Sequence, residues 1–430
     1  MAILCGLLML CSCGRAQPVT TASVEQLIGQ QDWFTLQKVY EERKDSPPPF
    51  TRALAQAFLS SAFNRPEATD QWMELAQRYP FQLDYENSID LTLKIALDLH
   101  SQHRNREAVA VMRELIAAVR DQFDPETLAY FQRLEKQFAR LSGYKLYHIQ
   151  RPAQDTRLPL VTRLLPQNGS AFLFEASLNG TRQQAMLDTG AGANFLSAGL
   201  AARYPLTVID DSVRVTGVQT DFGKLVLADS LRIGDICLYN VPFYVLDMNT
   251  RHPEADTYLE SLDLIIGLPL ILALQEVQLD FRNHRILFPY ELSEKPMPYS
   301  NLCMEQGSLL VELTGQGERL VMQLDSGSGL SSLSHNYFRR HQQEIEATGT
   351  ASGTYIAGIG GIREIPIYHL PDFLFAIDGN EKRLPQIVVE TEESGVSFED
   401  GMFGADMFSA FGHLTINLKD MFVETEQSTD

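Results

Sequence analysis

Cysteine is scarce in this chain of 430 residues: there are five, and only Cys237 and Cys303 lie beyond the first thirteen positions. Two such thiols make neither a disulfide framework nor a metal-ligating cysteine pair, and two unbridged buried thiols are the expectation. No apolar run reaches the roughly 20 residues needed to span a bilayer. Positive charge is also in short supply, with 35 Lys and Arg against 55 Asp and Glu and a formal net charge of −20. That balance argues against a nucleic-acid partner and against a basic membrane-surface patch. Glycine is nearly missing from the first third. Only Gly29 lies between Gln17 and Gly143, whereas 24 of the 28 glycines follow Gly143. A glycine-poor stretch rich in Ala, Leu, Gln, Glu and Arg reads as helical, and a hairpin-rich remainder as β.

Two short segments then stand out, Leu187-Asp188-Thr189-Gly190-Ala191 and Leu324-Asp325-Ser326-Gly327-Ser328. Taken singly, each aspartate reads as an ordinary turn residue after a strand. They belong, however, to a larger repeated pattern. From Asp188 to the glycine of Leu264-Ile265-Ile266-Gly267 is 267 − 188 = 79 residues, and from Asp325 to that of Met402-Phe403-Gly404 is 404 − 325 = 79. Leu279-Asp280-Phe281 and Ile416-Asn417-Leu418 fall at matching offsets, as do Ile286 and Val423. Each aspartate also ends an apolar hairpin, the first turning at Asn179-Gly180 and the second at Gly315-Gln316-Gly317. The spacing predicts two homologous β-rich units, residues 160–292 and 300–425.

At these residues the chain resembles the aspartic peptidases, whose paired signature is an apolar-Asp-Thr/Ser-Gly element followed by an apolar-apolar-Gly element. The half size resembles the retropepsin unit, and two units in one chain resemble the bilobal pepsin arrangement. The resemblance implies an all-β bilobal fold with Asp188 and Asp325 as the catalytic pair. It further implies loop support from Thr189, Gly190, Ala191, Ser326, Gly327 and Ser328, with the Thr189 and Ser326 hydroxyls cross-linking the loops. Ile266, Gly267, Phe403 and Gly404 occupy the apolar-Gly elements. The chemistry explains the pairing. Two carboxylates about 3 Å apart do not both ionise readily, so they share a proton and serve as base toward water and acid toward the peptide. Such a mechanism needs no metal and no organic cofactor. The residue after each glycine tunes acidity in the family, because a hydroxyl donor favours the ionised form; here it is Ala191 in one half and Ser328 in the other. Flap hairpins are expected around Gly217, with Gly223 near the tip, and around Gly358 and Gly360. No tyrosine lies near Gly217, a departure from pepsin-like flaps.

The N-terminus carries a second resemblance. A short apolar run leads into Leu10-Cys11-Ser12-Cys13-Gly14, which looks like a bacterial lipobox with Cys13 as the lipidated residue. The expectation is a signal peptide over residues 1–12 and an anchor linker over 13–20. Acyl chains would then hold the protein in the cell envelope, on the periplasmic or the cell-surface side, with no membrane contact except that anchor.

Residues 21–145 are expected to form a helical domain. Ala108, Met112, Leu115 and Val119 fall on one helix face, as do Phe131, Leu134, Phe138 and Leu141. Asp124-Pro125-Glu126 supplies a cap, a proline at the first helical position and an acid in the first turn. Residues 64–68 and 105–108 look like turns of successive helical hairpins, similar to tetratricopeptide-type repeats but spaced at about 40 residues instead of 34. Such a domain offers a surface to a protein partner; a spacer and an inhibitory pro-segment are the other readings. His100 and His103 lie one helical turn apart at a helix end without a third metal ligand nearby, so a solvated helix end is expected. Ser326-Gly327-Ser328-Gly329 lacks the preceding glycine of a serine-hydrolase elbow. Gly358-Ile359-Gly360-Gly361 has no helix pattern after it and is no dinucleotide fingerprint.

The functional expectation is therefore an aspartic endopeptidase with a polypeptide substrate. A peptide-binding protein that keeps the cleft without cutting, and a helical docking protein whose β part is only structural, are the alternatives.

Overall fold

The computed structural model describes residues 23–43, 46–83, 85–165, 169–216, 220–247, 262–358, 361–392 and 400–426. Cys13, Gly217 and Gly360 lie outside these residues. The chain divides into two compact units: residues 1–146 with 297–303, and residues 147–296 with 304–430.

The first unit is helical. Its helices run Val24–Gln30, Trp33–Arg43, Pro49–Ala62, Ala68–Arg78, Tyr85–Ser101, Asn105–Val119 and Pro125–Leu141. Asp124 caps the last of them, its carboxylate accepting from the Glu126 and Thr127 N–H groups, and Pro125 takes the first helical position, where its missing N–H leaves no bond unmade. Ala108, Met112, Leu115 and Val119 are buried together with Phe131 and Phe138, and Leu134 packs against them. Trp33 stacks on Phe58 at 5.0 Å, and Phe58 meets Trp72 edge-on at 4.8 Å. The turn expected at 105–108 lies three residues earlier. Asn105 already begins a helix, and His103 takes the left-handed conformation (φ 63°) that reverses the chain. His100 is likewise no solvated helix end. Its ring stacks on Phe138 at 4.3 Å and its Nδ1 lies 2.6 Å from Asn105 Oδ1. Burial holds the His100 imidazole below its ordinary pKa, and burial beside His100 takes His103 down to about 4.

The second unit is β-rich. One sheet orders the strands His148–Gln150, Ile236–Leu246, Phe195–Ser197, Leu264–Ile266, Thr181–Leu187, Ser170–Leu178, Thr220–Ile233 and Thr207–Thr216. Another orders Ser308–Gly315, Glu318–Leu324, Gly401–Phe403, Ser332–Leu333, Asn380–Glu390, Gly361–Ile377 and Thr350–Gly358. A five-stranded sheet joins them: Thr156–Pro159, Arg285–Phe288, Glu276–Asp280, His413–Asn417 and Phe422–Thr425. Its central pairing is reciprocal. Glu276 faces Asn417, Asp280 faces His413, and Gln278 faces Thr415 in the middle. Since 413 − 276 = 137 and 417 − 280 = 137, each strand occupies, relative to the other, the position its counterpart occupies relative to it. The 137-residue spacing that separates the two Asp motifs thus appears again as a local two-fold relation. Neither Cys237 nor Cys303 is in a disulfide.

Candidate active site

Each aspartate leaves the sheet at the end of a strand whose neighbour fixes its course. Thr181–Leu187 pairs in parallel with Leu264–Ile266, and Glu318–Leu324 pairs in parallel with Gly401–Phe403. The ladder continues through the motif: Asp188 N–H donates to the Ile266 carbonyl at 3.0 Å, and Asp325 N–H to the Phe403 carbonyl at 3.0 Å. The loops then turn back over their own aspartates. Asp188 Oδ1 accepts from the Gly190 and Ala191 N–H groups at 3.0 and 2.9 Å. Asp325 Oδ1 accepts from Gly327 and Ser328 at 2.8 and 3.1 Å.

The two loops are laced together by hydroxyls. Thr189 Oγ1 donates to the Leu324 carbonyl at 2.8 Å and accepts from Ser326 N–H at 2.9 Å. Ser326 Oγ donates to the Leu187 carbonyl at 2.9 Å and accepts from Thr189 N–H at 3.0 Å. Both hydroxyl residues are fully buried. The glycines allow the carboxyls to approach. A Cβ on Gly190 would lie 2.2 Å from Asp325 Cγ, and one on Gly327 would lie 2.4 Å from Asp188 Cγ. Only a residue without a side chain permits this crossing of each loop by the other's carboxyl.

The carboxyls are half-buried, and each lies against the glycine of the facing loop. Burial, and after it the neighbouring Asp325 charge, pushes Asp188 well above the usual carboxylate range. Burial also raises Asp325, against the lowering pull of the Gly327 and Ser328 N–H groups and of the Asp188 hydrogen bond. Two carboxyls so placed titrate together and not as separate groups.

Ser328 does not tune its aspartate by hydroxyl. Its Oγ donates to the Leu330 carbonyl at 2.8 Å, and only its backbone N–H reaches Asp325. Ala191 has no hydroxyl, so neither half supplies that donor.

Two braces were not anticipated from the sequence. Asn194 Oδ1 accepts from Gly267 N–H at 3.0 Å, and Ser331 Oγ accepts from Gly404 N–H at 2.8 Å. Asn194 is held in turn by the Tyr147 hydroxyl at 2.9 Å, and Ser331 by the Asp406 carboxylate. Both braces lie six residues beyond their aspartate (194 − 188 = 6 and 331 − 325 = 6), a coincidence that lining up the two halves would have exposed. The Leu268 and Ala405 N–H groups complete the clamp on the Ala191 and Ser328 carbonyls, both at 2.8 Å.

The hairpin expected near Gly217 joins Thr207–Thr216 to Thr220–Ile233, and Gly223 corrects the expectation for its tip. Gly223 pairs with Val213 inside the ladder, well short of the turn, because the two strands stay in register out to Thr216 and Thr220. Gly358 ends the strand Thr350–Gly358 and pairs with Gly361 at the turn of the second hairpin.

A family model described as aspartyl protease matches residues 174–270, a stretch that holds Asp188 and Gly267 but not Asp325. No curated protein matches the chain in sequence. Among solved structures, the chain is similar to basic 7S globulin from soybean at 10% identity and TM-score 0.39, over 64% of this chain and 95% of that one. It is similar to conglutin gamma, a basic 7S globulin from lupine seeds, at 9% identity and TM-score 0.37, over 64% and 95%. A retropepsin-like aspartic protease from Rickettsia conorii matches at 15% identity and TM-score 0.22, over 34% of this chain and 94% of that one. The family match over residues 174–270 agrees with the aspartic-protease character of the fold around Asp188.

Proposed function

We propose that this chain is an aspartic endopeptidase whose two β-rich halves arose by duplication and cut peptide bonds with one water molecule held between Asp188 and Asp325. The observation that carries the reading is the reciprocal crossing at the two motifs: each carboxyl sits against the other loop's glycine, and the Thr189 and Ser326 hydroxyls lace the two loops together. In the reaction, the ionised carboxyl takes a proton from water as it attacks the scissile carbonyl, while the protonated one gives its proton to the carbonyl oxygen. The carboxyl that took the water proton then gives it to the amine as the C–N bond breaks. The other carboxylate takes a proton from a hydroxyl of the tetrahedral carbon, which re-forms the carbonyl and restores the shared proton. Thr189 and Ser326 keep the loops from parting, and the two hairpins are proposed to close over bound peptide.

The lipid anchor at Cys13 and the cell-envelope location belong to the same proposal and rest on the sequence alone. So does the role of the helical unit as a docking module. A digest of a random peptide library by the wild type, Asp188→Asn and Asp325→Asn tests the catalytic reading. Cleavage by the wild type and loss in both variants are expected. Cutting that survives either substitution removes the mechanism, and binding without cutting by the wild type favours a non-catalytic peptide receptor.

A further inference from the structure

Two rows of side chains cross the sheets beside the aspartates, and their chemistry differs. In the first half Leu173 pairs with Met186, Met186 with Ile265, Ile265 with Phe195, and Phe195 with Tyr244. In the second half Leu310 pairs with Gln323, Gln323 with Met402, Met402 with Ser332, and Ser332 with Val388. The offset of 137 recurs along the rows, as in 323 − 186 = 137 and 332 − 195 = 137. Registered neighbours share a sheet face. Met186 and Gln323 each stand two residues before an aspartate, so both rows lie on the face that carries the carboxyls.

The first row is closed with carbon. Met186, Phe195 and Leu246 belong to one buried apolar cluster, with Leu165, Ala191 and Val215 packed against it. In the second row glutamine and serine stand where the first has methionine and phenylalanine. Glu390 follows Val388 by two residues, as Leu246 follows Tyr244. Ser332 Oγ donates to Glu390 Oε1 at 2.9 Å, and both residues are half-buried. Gln323 is only 6% exposed, yet its buried Oε1 has no hydrogen-bond partner among the described residues. A buried acceptor left unpaired is unfavourable, and native structures hold few.

We infer that Gln323, Ser332 and Glu390 form a specificity subsite for a basic side chain, lysine or arginine, on one side of the scissile bond. The first half offers only apolar side chains at the matching positions. Lys and Arg carry several donors and no acceptor, which suits an unpaired amide oxygen with a carboxylate further along the same sheet face. A glutamate side chain would meet the like charge of Glu390. The inference rests on the peptidase reading of Asp188 and Asp325.

The test uses the full chain and a panel of peptides identical except for Lys, Arg, Met or Glu at the positions flanking the bond. Cleavage and affinity are measured in parallel for the wild type, Gln323→Met and Glu390→Gln, and affinity also for Asp188→Asn. The wild type is expected to favour Lys or Arg over Met on one side by about tenfold or more in kcat/KM. Both subsite variants should bring that ratio toward one, and Asp188→Asn should keep the basic preference in binding. Cleavage without basic preference, or a ratio unmoved in both variants, overturns the subsite and leaves the peptidase standing. Basic-selective binding with no cleavage by the wild type overturns the peptidase and supports the subsite. Neither binding nor cleavage overturns both.

Discussion

The hydroxyl lacing between the loops gives the sharpest energetic expectation. Ser326 Oγ makes two buried hydrogen bonds, to the Leu187 carbonyl at 2.9 Å and from Thr189 N–H at 3.0 Å. Ser326→Ala deletes the hydroxyl and leaves both backbone groups without that partner in a fully buried setting. Each buried group so deprived costs about 1–3 kcal/mol, so the loss for the two is about 2–6 kcal/mol. Thr189→Ala removes the mirror-image pair of bonds and belongs in the same range, whereas Thr189→Ser keeps the hydroxyl and should cost less than about 1 kcal/mol. The double alanine variant should fall short of the sum by about 1 kcal/mol, because one broken lace already loosens the other. Tryptophan fluorescence is the wrong probe, since Trp33 and Trp72 both lie in the helical unit. Hydrogen exchange read by mass spectrometry on peptides spanning 181–197 and 318–333 reports the opening free energy where the loops are. Losses below about 0.5 kcal/mol in both alanine variants would refute the reasoning.

Other expectations concern the carboxyls themselves. Both aspartates are raised in the fold, so their contribution to stability is present below the ordinary carboxylate pKa and is lost as pH rises through the raised values. Asp188→Asn should therefore stabilise the protein at neutral pH while abolishing cleavage, as followed by thermal unfolding across pH; equal or lower stability at neutral pH contradicts the like-charge account. Gly190→Ala and Gly327→Ala drive a methyl into the facing carboxyl, at 2.2 and 2.4 Å from its carbon, and should lower kcat by at least about a hundredfold. Near-wild-type kcat in both would mean that the crossing is not needed. Because the Ser328 hydroxyl goes to the Leu330 carbonyl, Ser328→Ala should leave the pH profile of kcat/KM in place, and a displaced acid limb would show that the hydroxyl reaches Asp325 after all.

Much of the site was legible because the chain carries the same spacing twice. The equal 79-residue intervals that bring Asp188 and Asp325 out of the sequence correspond to the parallel pairings that fix Leu187 beside Ile266 and Leu324 beside Phe403. Helix faces and the Asp124 cap are local properties and were equally readable. What escaped depends on contacts distant in sequence. The tip of the first hairpin was misplaced to Gly223 because alternation marks a strand but not its register. His100 looked like a solvated helix end because nothing local announces the ring of Phe138. The braces at Asn194 and Ser331 differ in residue type, so no motif flags them, although their equal distance from each aspartate does. The contrast between Met186 and Gln323 was also present in the sequence, hidden until the registers showed that both face the carboxyls.

The account turns on a single geometry, and a crystal structure with a peptide whose scissile amide is replaced by a hydroxyl-bearing tetrahedral centre tests it most directly. The predicted result is that hydroxyl within about 2.5–3.0 Å of both the Asp188 and the Asp325 carboxyls. A peptide seated elsewhere, or carboxyls standing apart on separate surfaces with no oxygen between them, would contradict it.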